Sequence, residues 1–207
     1  FPLLSLFIFI VYSSFHFGES ELIEERTKIQ IPLSYLKAFL LGFSILIFII
    51  SSHSNESINI LSTLNFNIEL TKFRLNNLPL IISFFSFTYI LIQNILHKDN
   101  PYLGLLFLLL IGVNIPLELS FGLYFIMQHS TNAWKHLKKG LRVNSILLYK
   151  KSFPYSIGAF LICGLFMFRT FGLDSHNFLW MQFFIFIACI SLPHFIIMHL
   201  FYKNKSF

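Results

Sequence analysis

The chain has 207 residues, of which 56% are hydrophobic and only 12% charged, with a net charge of +6. Soluble domains carry about 25% charged residues, and half that fraction cannot cover a water-facing surface. A soluble enzyme, a disordered tail and a nucleic-acid binder are therefore disfavoured, and the positive charge is read as a report of membrane topology.

The first apolar run, 1–17, opens without an initiator Met or a basic leader, so it does not read as a signal peptide. It is expected to be the remainder of a helix whose start is missing, with Gly18 ending it. The next stretch, 19–28 (ESELIEERTK), is expected to be a charged, solvated linker. About 20 apolar residues at 1.5 Å each cross the hydrocarbon core, which makes 34–52 and 77–96 the next spans, separated by a polar outer loop at 53–76. The run from Tyr102 to Trp134 is too long for one span and breaks at Asn114-Ile115-Pro116. Asn114 can start a helix, Pro116 suits a first turn, and Glu118 favours the positive helix start, so the run divides into 102–114 and 116–134. After a basic loop at 135–152, the last spans are 153–172 and 179–202. Cys163 and Cys189 lie inside these apolar runs and form neither a disulfide framework nor a metal-binding pair. The fold class is thus all-α: a polytopic transmembrane bundle of six to seven segments, expected to form a single membrane-embedded domain over 1–207 that lacks an N-terminal helix. The 28 phenylalanines are read as lipid-facing bulk.

Lys135, Lys138, Lys139, Arg142, Lys150 and Lys151 place the 135–152 loop in the cytoplasm. Arg26, Lys28, Lys98, Lys203 and Lys205 then fall on the same side, and Lys72, Arg74 and Arg169 on the other. This multi-pass arrangement in the cell (inner) membrane sorts the eight histidines. His53, His97 and His176 are expected in loops, solvated. His16, His129 and His194, from three helices distant in sequence, reach one depth near the cytoplasmic face, with His136 just beyond and His199 at the last helix end. Ionisable side chains inside a membrane are rare and default to functional candidates. Neutral imidazole needs no counter-charge in a low-dielectric site, so several can close on one divalent metal. The alternative is that each pins a helix contact by hydrogen bonding. Asp99 and Asp174 lie in loops, which disfavours a carboxylate-bridged di-iron centre and a 2-His-1-carboxylate triad.

Three local strings occur in order: His16-Phe17-Gly18-Glu19, then Tyr124-Phe125-x-x-Gln128-His129-Ser130, then Leu192-Pro193-His194. Together they resemble the Brp/Blh family of integral-membrane β-carotene 15,15'-dioxygenases over essentially the whole chain. The resemblance implies an iron(II)-dependent oxidoreductase that cleaves the central double bond of β-carotene with O₂ to give retinal. Its implied partners are β-carotene, O₂ and the bilayer, with a retinal-binding rhodopsin as a candidate downstream. The family's ligands in the HFG and HS motifs fall on His16 and His129. A further family ligand, in a Pro-His-Gly motif, has no counterpart here. Some members carry another His four residues after the HS histidine, where this chain has Ala133. His136 or His194 is expected to supply the missing bond, His194 slightly favoured. Tyr124 and Tyr12 are expected to line or polarise the site, and Glu19 to orient His16 through a hydrogen bond. Pro193 allows a kink that aims His194 inward.

Two other classes compete. A membrane desaturase or hydroxylase would need HxxH boxes, and this chain has none. A transporter or helical scaffold would use the histidines for proton relay or helix contacts, and expects carboxylate partners within the membrane.

Overall fold

A computed structural model describes residues 2–23, 31–63, 77–96, 102–170 and 176–204. All regular structure among them is helical. Helix α1 (Pro2–Leu22) packs lengthwise on α2 (Ile31–Ser52), and α2 in turn on α4 (Leu78–Leu96), with the short α3 (Ser54–Thr63) between them in the chain. Then come α5 (Leu103–Gly112), α6 (Leu117–Tyr124), a π-helical turn (Phe125–Ser130) and α7 (Thr131–Leu141). Two long helices follow, α8 (Ser145–Thr170) and α9 (His176–Asn204). The main core gathers Phe17 of α1, Leu41 and Ile45 of α2, Ile90 of α4, Leu105 of α5 and Tyr124 of α6. By length and composition, Leu33–Ser52 and Leu78–Leu96 qualify as membrane spans among the described residues.

The seam between α1 and α2 is built from small residues one turn apart, Ser14 and Gly18 facing Ala38 and Gly42. A Cβ at Gly18 would overlap the Ala38 carbonyl oxygen, and one at Gly42 the Ser14 carbonyl oxygen. Backbones approach this closely only where side chains are absent, as in small-residue packing of membrane helices. Gly18 therefore does not end α1, as expected from sequence; the helix continues to Leu22 because the glycine is needed for packing. Glu19 and Ser20, expected in a solvated linker, are 2% and 0% exposed. The last part of that linker, 24–28, lies outside the described residues, as do Lys72, Arg74, His97, Lys98, Asp99, Asp174 and Lys205.

The break at Asn114-Ile115-Pro116 is where expected, but its helix start is made differently. The first N–H groups of a helix lack intrahelical acceptors, and the Leu117 N–H donates to Glu56 Oε2 of α3 at 2.6 Å. His53, expected to be solvated, is buried at the corner between α2 and α3. Its Nδ1 lies 2.8 Å from the Ile49 carbonyl oxygen and its Nε2 2.8 Å from that of Ile115. His53 and Glu56 thus clip one helical corner to the next. Removing the acceptor from a fully buried donor costs about 1–3 kcal/mol, and this donor is part-buried, so the loss falls at or below the lower end of that range. Glu56→Ala is expected to lower the melting temperature of the detergent-solubilised protein accordingly, while Asn114→Ala, at an exposed position, leaves it nearly unchanged.

The basic stretch 135–152 is helical for most of its length and not a loop. It turns at Arg142, which takes the left-handed conformation (φ 54°). The Val143 N–H donates back to the Lys138 carbonyl at 3.2 Å, closing a Schellman-type end. Asn144 then starts α8, its side-chain oxygen accepting the Leu147 N–H at 2.8 Å. Along α8 large apolar side chains such as Phe160 and Phe168 are about as exposed as side chains can be, at 78% and 81%. An apolar surface of this extent marks a contact with lipid or with another protein.

Candidate metal centre

His16 projects from α1, His129 from the π-helical turn and His194 from α9. The rings of His16 and His129 are 5.0 Å apart between centroids, and those of His16 and His194 5.2 Å. One ring nitrogen from each lies within 4.8 Å of the others, a span that a single ion can close by small ring rotations. His16 and His129 are buried, whereas His194 is exposed and marks the open side of the group.

Both ring nitrogens of His16 are buried and have no hydrogen-bond partner. Buried polar atoms are nearly always paired, so nitrogens with no partner among the described residues call for an ion or a bound water. Among the described residues no carboxylate belongs to the group, so its donors are neutral imidazoles suited to a divalent transition metal.

The π-helical turn bears on the placement of His129. A π-turn carries more residues per turn than an α-helix and shifts the phase of everything beyond it. Tyr124 and His129, five residues apart, come to lie with ring centroids 6.5 Å apart, both buried. Phe17 fills the space beside them, 4.8 Å from His129 and 5.5 Å from Tyr124. Such turns recur at functional sites.

A family model described as beta-carotene 15,15'-dioxygenase matches residues 1–202. The chain belongs to that family. Comparisons with curated proteins and with solved structures give no match.

Within this β-carotene 15,15'-dioxygenase family member the two further histidines take different places. His194 joins His16 and His129, whereas His136 stands apart, buried edge-on against Tyr202 at 5.9 Å. Seven residues beyond His129 the same face returns, but about 10 Å further along the axis.

Glu19 does not orient His16. Its carboxylate oxygens lie 2.9 and 3.1 Å from Nδ1 of His199. Glu19 faces α9, where His199 is available on the turn after His194. Tyr124 is beside the group, but its hydroxyl is buried without a hydrogen-bond partner. Tyr12 faces α9, with its hydroxyl 2.6 Å from Ser191 Oγ and its ring 6.0 Å from that of Phe195. It therefore ties α1 to α9.

Two residues that sequence reasoning missed support His129. Ser20 Oγ lies 3.1 Å from its Nδ1. Glu21 Oε2 accepts hydrogen bonds from Gln128 at 2.9 Å and Asn132 at 3.1 Å, gripping the π-turn on both sides of the histidine. Consecutive helical residues point about 100° apart, so Glu19, Ser20 and Glu21 can reach α9, His129 and the π-turn's flanks in turn. The signal was three polar residues closing an otherwise apolar helix.

Proposed function

We propose that the chain is an integral-membrane enzyme that cleaves the central double bond of β-carotene with O₂ at an iron(II) centre held by His16, His129 and His194. The C15=C15' bond breaks and each carbon takes one oxygen atom, so one β-carotene and one O₂ give two retinal molecules. The single observation that carries this reading is the buried His16 ring, orphaned at both nitrogens and facing two further imidazoles, in a chain of this family.

When bound, iron(II) would supply the electron exchange with O₂ that a closed-shell polyene does not undertake unaided. The chain's own part is positioning and exclusion. Phe17, Phe125 and Tyr124 wall the buried side of His129. The exposed His194 leaves an approach beside α9, where Tyr12 and Phe195 offer aromatic surface to an apolar polyene arriving sideways from the bilayer. Tyr124 keeps its hydroxyl near the group and is proposed to line it. Glu19 acts at one remove, by fixing α9 through His199. The protein is proposed to be multi-pass in the cell membrane, with the centre toward the cytoplasmic side. The basic residues of 135–152 support that orientation, and the bare apolar surface of α8 supports lipid contact.

The Glu19–His199 pair keeps a second reading alive, since a transporter relaying protons would need such a carboxylate partner. Expression in a bacterium that accumulates β-carotene separates the two. The oxygenase reading expects loss of orange colour with retinal appearing, arrest by an iron chelator and recovery on adding iron(II). Unchanged carotene in cells whose membranes contain the protein would reject it.

A further inference from the structure

We infer that Ser20 is a positioning residue that holds His129 as the tautomer protonated at Nδ1, which commits Nε2 to the metal. Neutral imidazole carries one proton, and the hydrogen bond made by one nitrogen decides which atom of the ring is free to ligate. Ser20 is fully buried, and its hydroxyl donates to the Phe17 carbonyl at 2.8 Å. With its single proton so used, Oγ can only accept at its other contact, 3.1 Å from His129 Nδ1. The Nδ1–H therefore donates to Ser20, and Nε2 keeps its lone pair.

The ring has little room to escape this arrangement. Phe17 and Phe125 stand 4.8 and 5.3 Å from it, and Glu21 holds Gln128 and Asn132 on either side. His16 provides the contrast, because neither of its nitrogens is tied. One ligand is thus fixed in advance by α1, while the second, on the same helix, is left to adjust when the ion binds. Partners of this kind tune metal affinity about 10- to 100-fold.

The inference rests on the metal-centre reading but is tested separately from it. In metal-free protein selectively labelled with ¹⁵N-histidine, His129 is assigned by the signals lost in His129→Asn. Its Nδ1 is expected to carry the proton, and Ser20→Ala is expected to release the ring into a mixture of tautomers. A proton on Nε2 in the wild type, or an unaltered His129 spectrum in Ser20→Ala, overturns the assignment. Titration with cobalt(II) then reads the consequence. Ser20→Ala should bind it about 10- to 100-fold more weakly, with Ser20→Thr recovering affinity if the added methyl is accommodated. Equal cobalt affinity in wild type and Ser20→Ala would also overturn the role. A wild type with the expected tautomer that binds no cobalt would strike the metal-centre reading alone.

Discussion

His129→Ala is expected to bring retinal formation below about one hundredth of the wild-type rate, because removing a ligand should exceed the effect of removing a ligand's support. His16→Ala should do the same. Both residues are buried, so the vacated space is shielded from the bulk water that could take over the bond. His194 differs, since it is exposed on the open side of the group. A water molecule can occupy the place of its ring, and His194→Ala is expected to keep measurable turnover with weakened iron binding. His136→Ala should retain near-wild-type turnover, because that ring packs on Tyr202 outside the group. Retinal yield in carotene-accumulating cells, normalised to protein in the membrane, ranks the four variants. Abolition by His136→Ala with survival of His129→Ala would refute the proposed ligand set.

A second large effect comes from one methyl group. Gly18→Ala or Gly42→Ala sets a Cβ against a backbone carbonyl of the facing helix, which has no side-chain freedom with which to yield. Such changes belong among the exceptional destabilisations, above about 4 kcal/mol. Prising α1 from α2 would also carry His16 away from His129. Little folded protein should be recovered, and what remains should not bind cobalt(II). Gly104→Ala is the control: a Cβ there meets nothing within 4 Å. Alanine is favoured over glycine in a helix by up to about 1 kcal/mol, so this variant is expected to melt at or slightly above the wild-type temperature.

How much of this was legible in the sequence differs from residue to residue. The convergence of His16, His129 and His194 could be read because imidazoles are scarce in apolar helices and these three shared a depth. The interruption at Pro116 was legible for a covalent reason, as its ring fixes the backbone. What could not be read was tertiary. A glycine after an apolar run suits a helix end and a close helix contact equally well, and Gly18 serves the second. Position near a helix end suggested that Glu19 and His53 were wet, yet neighbouring helices bury both. Glu19 was expected to act on the nearest histidine in sequence, whereas α9 brings His199 within hydrogen-bond reach from the far end of the chain. The π-turn leaves no mark in hydrophobic spacing, and it changes which face residues beyond it present. Composition implied six to seven spans, whereas length and apolarity single out α2 and α4 among the described residues.

The candidate centre draws together α1 and α9, the first and last of the described helices. Such a pocket cannot be complete before α9 has been synthesised, because its third imidazole follows the other two in the chain. The nascent polypeptide would therefore be without the ion until then, and its capture would become a checkpoint on the docking of α9 against α1. Copies that stop short of α9 would lose the third imidazole together with the α9 partners of Tyr12 and Glu19, and would hold the ion more weakly than a His194 variant that keeps the helix.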